Sequence, residues 1–344
     1  MSLSRPERFP LLKLPFLCIE CVIKSWDIFD IIFFALISQK TRRIVKILKI
    51  PLNRIQILVS DTKRIWLGGF SRIWIFSKPS LKPSFYQDLM KTPLMLRNDS
   101  IPLYTSRKDD VFNSFIDGNE VTALKMAMEF LNEVFNGSVE AVDINMDNYP
   151  ESVDIGVEST VNLCINQNSS QPLDHAQSQK LSLLLENLEV TGTCDFWMRN
   201  TERDFYVDPK LFKCRKLVFG TRSAAWVTRE ILLQFEIPQL KFFDCSFSVE
   251  DILSFVTNWF HSENRKLEYL CVYTQSNQIS LENFQTEELN PLPFSERTCI
   301  PPIKAYIIID YSVGLEIVRH DGLVATIYVN ADSGVFLFYI WHNQ

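Results

Sequence analysis

Residues 12–48 read LKLPFLCIECVIKSWDIFDIIFFALISQKTRRIVKIL, and three incompatible structures compete for them. A membrane span needs about 20 predominantly apolar residues with few charges. Glu20, Lys24, Asp27 and Asp30 interrupt this run, whose longest uncharged part reaches only from Ile31 to Gln39. Each such charge at a bilayer centre costs roughly 2.5–3.5 kcal/mol, so the membrane reading fails. Cys18 and Cys21 have the spacing of a zinc knuckle or a redox pair. A structural zinc takes four ligands, yet there is no second Cys-x-x-Cys, and His175, His261, His320 and His342 are all distant in sequence. A thioredoxin-like pair follows a strand at the start of a helix, whereas this segment is helical in pattern from its first residue. The simpler expectation puts both thiols, i and i+3, on a buried helical stripe.

Helical spacing organises the whole stretch. Pro15 suits a first helical position, where its missing N–H is harmless. Cys18, Cys21 and Val22 form one apolar stripe, and Ile19, Ile23 and Trp26 another. Asp27 can cap a second helix, with Asp30 near the positive end of its dipole. That helix carries Ile28, Phe29, Ile31, Ile32, Phe33, Phe34, Leu36 and Ile37, apolar on nearly every side. Ser38 can cap a third helix, which Pro51 helps to end. A helix apolar all round is normally buried all round, and three short helices cannot enclose that surface alone. Either the rest of the chain or a second protein must cover it.

Leu14-Pro15, Ile19, Val22, Ile23, Asp27, Asp30-Ile31, Leu36, Ser38 and Thr41-Arg42-Arg43 resemble an F-box. The form FPLLKLPFLCIECVIK…ISQKTRRIVK is similar to the F-box of a nematode-expanded family whose members carry an F-box-associated domain of the second type. The resemblance implies an F-box over residues 9–50 that docks on the Skp-type adaptor of a cullin–RING ubiquitin ligase. It implies adaptor contacts by Leu14, Pro15, Ile19, Val22, Ile23, Ile31 and Leu36, and recruitment of an unidentified protein substrate by residues 51–344.

Downstream, residues 52–76 alternate in places, with Ile55, Ile57 and Val59 on one face, and fit two or three strands. Residues 77–110, richer in Pro, Ser and charge, read as a surface loop. NEVTALKMAMEFLNEVF and VEAVDINM give a helix and a strand. A rough period then follows in NLEVTG, KLVFGT, QLKFFDC and KLEYLCV, whose leucines Leu188, Leu217, Leu240 and Leu267 lie 29, 23 and 27 residues apart. Helix-like SAAWVTREILLQF and SVEDILSFVTNWFHSE lie between them, the second opening on a capping box of Ser248 and Asp251. Strand–helix units of this length resemble degenerate leucine-rich repeats, and an ordinary α/β domain remains the alternative. Near the end, turn signals at His320-Asp321-Gly322 and Asp332-Ser333-Gly334 separate β-rich runs, as in an antiparallel meander. LEIVRHDGLVATIYV and FLFYIW resemble the end of the same F-box-associated domain. The expected fold is therefore α/β: a three-helix F-box, then an irregular leucine-rich-repeat-like strand–helix domain ending in an antiparallel sheet.

Composition limits the function. Apolar residues make up 47% of the 344 and charged ones 22%, enough for a sizeable core. A net charge of −6 disfavours nucleic-acid binding, which needs a basic surface. The eight Cys are scattered, most of them in apolar runs, which points to a reducing compartment, cytosolic or nuclear. The opening MSLSRPERFPLLKLP lacks the pattern of a secretory leader. No nucleophile elbow, P-loop, Gly-x-Gly-x-x-Gly or His-Glu-x-x-His occurs. Asp143, Asp147, Glu287 and Glu288 read as solvated carboxylates, and His320 as a turn residue. A non-catalytic ligase subunit without cofactor or metal is the expectation. The competing class is a non-ligase interaction scaffold, its first helices packed on its own downstream domain. A thiol or metal protein is a third.

Overall fold

The computed structural model describes residues 11–68, 72–77, 90–94, 103–108, 110–115, 119–149, 154–199, 201, 204–274, 279–294 and 314–342. The chain divides into two compact units. The first comprises residues 1–58, 62–139 and 155–157, and the second residues 59–61, 140–154 and 158–344.

The first unit begins with α1 (Phe16–Lys24), α2 (Ile28–Ile37) and α3 (Gln39–Leu48). Their boundaries follow from local chemistry. The Asp27 carboxylate accepts a hydrogen bond from the Phe29 N–H at 2.9 Å, satisfying one donor that a helix start leaves orphaned. Ser38 and Thr41 form a reciprocal capping box. Pro15 sits at the cap rather than at the first helical position, with an extended ψ of 146°. The two thiols correct the sequence reading more sharply, because Cys18 and Cys21 are both exposed. The inward stripe of α1 is carried by Ile19 and Ile23, one helical turn apart. Residues 18 and 21 then fall outside that stripe.

The strands β1 (Pro51–Val59), β2 (Lys63–Leu67), β3 (Arg72–Ser77), β4 (Met90–Leu94), β5 (Leu103–Lys108) and β6 (Val111–Phe115) follow, and then α4 (Glu120–Val134). They form a sheet in the order β1-β2-β3-β6-β5-β4. Ile55, Ile57 and Val59 are buried at alternate positions, as a half-buried strand requires. The stretch 77–110 is not the simple surface loop expected, since it holds β4 and β5; its remaining residues, apart from Ser77 and Asp110, lie outside the described ones. The stretch's Pro content pointed to a loop, but Pro93 does not exclude a strand. It lies in β4, the edge strand, where the register against β5 also shifts, and an edge strand tolerates a residue that cannot donate to a ladder.

Aromatic packing joins the helical trio to this sheet. The fully buried Phe112 ring of β6 lies 5.7 Å from Phe29, 4.6 Å from Phe33 and 4.9 Å from Trp74. Arg72 donates to the helix cap Asp27 at 2.7 Å and also pairs with Asp110. Arg42 lies over the Phe130 ring of α4 at 5.1 Å. One side of the trio is thus covered by its own unit.

The chain enters the second unit within β7 (Asn136–Asn145). Then come β8 (Ser159–Thr160), β9 (Asn162–Asn166), α5 (His175–Asn187), β10 (Glu189–Val190), β11 (Thr193–Trp197) and β12 (Lys216–Phe219). They are followed by α6 (Arg229–Leu232), β13 (Gln239–Cys245), α7 (Val249–His261), β14 (Tyr269–Thr274), β15 (Leu292–Pro293), β16 (Leu315–Val318), β17 (Val324–Asn330) and β18 (Val335–Trp341). The sheet runs β7-β9-β11-β12-β13-β14 in parallel and continues antiparallel as β18-β17-β16-β15. β8 and β10 form a separate short parallel pair.

Register aligns two apolar rows across the strands. Val142, Leu163, Cys194, Leu217, Leu240, Leu270 and Phe338 make one. Ile144, Ile165, Phe196, Phe219, Phe242, Val272 and Phe336 make the other, and every member is fully buried. Phe219 stacks on Phe242 at 5.0 Å and Trp259 of α7 meets Phe338 edge-on at 5.1 Å, so α7 packs on this face. The true rungs replace two leucines of the expected ladder. Leu188 precedes the short β10, and Leu267 precedes β14, where Leu270 takes the aligned position. SAAWVTREILLQF is also less helical than its pattern. Only Arg229–Leu232 is helix, because Thr228 starts it late by capping Ile231 and the preceding segment is a series of turns.

The antiparallel end matches the expected meander. Gly322 and Gly334 take left-handed φ values of 87° and 62° in its two turns. Arg319, fully buried beside the first turn, pairs with Asp321 at 2.8 Å and donates to the Asn264 carbonyl at 2.8 Å. Asp321 is held far below the usual carboxylate range by the Arg319 hydrogen bond.

Candidate functional site

Each unit presents a surface of its own. On the first unit, α1 turns Ile19 and Ile23 inward and leaves its other side uncovered. Leu12, Phe16 and Leu17 are 40%, 44% and 73% exposed, Pro15 is exposed, and Leu14 and Val22 are half-buried. Four of the seven residues that the sequence assigned to adaptor contact lie elsewhere. Ile19, Ile23, Ile31 and Leu36 are at most 5% exposed and belong to the core of the unit. Leu12, Phe16 and Leu17, which that assignment did not include, are exposed large apolar residues at this end of the chain. For Leu17 a signal was present, since residues 14, 17, 18 and 21 share one side of a 3.6-residue helix, but nothing in the pattern says which side faces inward.

On the second unit, the sheet face opposite the two apolar rows is mixed in character. Trp197, Gly220, Phe243 and Tyr273 directly follow the aligned Phe196, Phe219, Phe242 and Val272 at the carboxyl ends of four parallel strands, Phe243 and Tyr273 at a break in register, in the region where open parallel sheets bind ligands. Trp197 is 46% exposed and stacks toward Phe243 at 6.2 Å, and Phe243 stacks on Tyr273 at 4.7 Å. A Cβ on Gly220 would come within 2.3 Å of the Trp197 indole, so a residue without a side chain is what lets the ring lie flat there. The Lys241 ammonium sits 4.5 Å above Phe243 and 5.2 Å above Tyr273. Burial lowers its pKa, while the ring faces favour the cation.

One row further along the strands lie Asp143, Cys164 and Asp195, followed by Val218 and Lys241. Asp143 departs from the solvated carboxylate expected of it. It is half-buried, burial raises its pKa, and the Cys164 thiol hydrogen-bonds to it. Its place beside Cys164 of the neighbouring strand explains this, whereas Asp147, Glu287 and Glu288 are exposed as expected. Asp195 is likewise raised by burial, with Lys216 opposing. Burial pushes the Cys164 thiol up to about 12 and Cys271 up to about 11, which keeps both protonated and unreactive at neutral pH. Aromatic faces beside mixed charge suit recognition of another polymer's side chains. Among the described residues no group of three or more His, Cys, Asp or Glu is placed to hold a metal ion, and no helix is long and apolar enough to cross a membrane.

The F-box associated family model matches residues 210–272, the stretch that supplies β12, β13 and most of β14. An uncharacterized protein of Caenorhabditis elegans is 32% identical over 125 residues, covering 35% of this chain and 29% of that relative. A second from the same organism is 24% identical over 211 residues, 57% of this chain and 48% of the relative. The matches thus span less than half the length of either relative. No solved structure matches at a significant level. Residues 210–272 are thus similar to the F-box associated family, and the chain has relatives in a nematode.

Proposed function

We propose that this protein is a non-catalytic substrate-recognition subunit of a Skp–cullin–F-box ubiquitin ligase, acting in the cytosol or nucleus. Its helical trio is an F-box that holds a Skp-type adaptor, and its strand–helix domain, leucine-rich-repeat-like in its aligned rows, recruits the target. The observation that carries this is the order of parts. A helical trio with an uncovered apolar side, Leu12 to Leu17, precedes a segment that matches the F-box associated family. Apolar burial on that side supplies affinity at roughly 25 cal/mol per Å² before association costs.

A second reading has an observation of its own. Phe33 and Phe29 pack on Phe112 of the same unit, which is what a scaffold with self-docked helices requires. Co-purification with a Skp-type adaptor separates the two readings. Leu14→Ala with Pro15→Ala, and separately Leu17→Asp at the most exposed apolar site, abolish capture if the F-box reading holds. Capture that persists in both variants, or fails with the wild type, favours the scaffold.

A further inference from the structure

At the amino-terminal edge of the same parallel strands, away from the aromatic row, lies a cavity of about 560 Å³. Its apolar lining includes Phe212 and Ile237, both nearly fully buried in the fold. Four cations, Lys210, Lys213, Arg215 and Lys266, also line it, and all four are exposed. The protein as a whole carries a net charge of −6, so this is a local reversal of sign. Two of the cations have carboxylate partners already: Arg215 pairs with Glu268 at 3.3 Å, and Lys266 with Glu236, itself a lining residue, at 3.7 Å. Among the described residues neither Lys210 nor Lys213 has an ion-pair partner. All four cations fall within the family-matched segment.

We propose that this cavity receives an acidic peptide segment of the recruited protein, with an apolar side chain against Phe212 and Ile237 and flanking carboxylates on Lys210 and Lys213. The volume lies in the range of small-ligand sites, which admits one large side chain but not a folded domain. Opposite charge around an apolar centre selects the partner and speeds its encounter. The inference deepens the recruitment reading and rests on it for its biological role.

Fluorescence anisotropy of the full chain with a fluorescein-labelled EEELFEEE peptide tests it, with KKKLFKKK, SSSLFSSS and a phosphoserine-flanked LF peptide as comparison probes. The acidic peptide binds saturably and the other two unphosphorylated probes at least tenfold more weakly. Its affinity falls as salt rises from 50 to 300 mM. Lys210→Glu with Lys213→Glu weakens it by about tenfold or more, equivalent to about 1.4 kcal/mol. The milder Lys210→Gln with Lys213→Gln gives an intermediate loss and guards against misfolding of the reversal variant. Unaltered binding by both variants, equal binding of SSSLFSSS, or binding of the phosphorylated probe alone overturns the assignment. Adaptor capture by the same variants is read in parallel. Lys-dependent peptide binding without adaptor capture leaves the cavity standing and removes the ligase, and the reverse result removes only the cavity.

Discussion

Gly220→Ala probes the aromatic row directly, because the added methyl carbon would lie 2.3 Å from Cε3 and 2.8 Å from Cδ2 of Trp197. The backbone does not resist the change, since Gly220 is not among the glycines with left-handed φ. Nor can the indole stay where it is. Trp197 is 46% exposed, so roughly half of a large aromatic surface, about 100 Å², is buried. Losing that contact costs about 2.5 kcal/mol at ~25 cal/mol per Å². Opposing this, replacing glycine stiffens the unfolded chain and favours the fold by about 0.4–1 kcal/mol. The net expectation is about 1–2 kcal/mol of destabilisation, measured by urea unfolding followed by far-ultraviolet circular dichroism. A double-mutant cycle with Trp197→Ala isolates the cause. With the indole gone, Gly220→Ala should change sign and stabilise slightly. An equal cost in both backgrounds refutes the reasoning, since the penalty would then lie in the backbone and not in the ring.

Two further outcomes follow from the packing and the charges. Phe112→Ala empties a fully buried site between Phe29, Phe33 and Trp74, which costs about 3–5 kcal/mol. Because the ring anchors the helical trio, trypsin cleavage after Arg43 should accelerate, and an unchanged cleavage rate counts against that anchoring. Asp143 has a folded pKa raised by burial, so its charge opposes folding above that pKa and the penalty disappears as pH falls toward the unfolded value of about 3.9. Asp143→Asn should therefore melt at a higher temperature than the wild type at pH 7, with the gap closing near pH 4. A variant less stable at pH 7, or a gap independent of pH, contradicts the assigned cause.

Local chemistry made much of the first unit legible in advance. Asp27 and Ser38 cap their helices because a side-chain oxygen beside a helix start meets an orphaned N–H whatever the tertiary fold. Ile55, Ile57 and Val59 alternate because a strand has period two, and Gly322 and Gly334 sit in turns that need positive φ. Short-range signals failed where the outcome depended on distant partners. The Pro-rich composition of residues 77–110 pointed to a loop, yet an edge strand accommodates Pro93. The rung taken by Leu270 could not be told from Leu267, three residues away, until the neighbouring strand fixed the register.

The candidate surfaces divide along the same line. That a helical trio should open the chain, greasy beyond its capacity to hide itself, was determined by residue order alone, because helical periodicity and caps are properties of neighbours in sequence. Which side of α1 would be covered was not. Cys18 and Cys21 are exposed, and Ile19 and Ile23 buried, although all four lie on the same short helix, while Phe112, some eighty residues on, closes over Phe29 of the next one. The row of Trp197, Phe243 and Tyr273, and the cations gathered at the opposite strand ends, likewise exist only once parallel register has brought separate strands side by side. Burial is a long-range property of the folded chain, and sequence spacing reports only which residues will share a face.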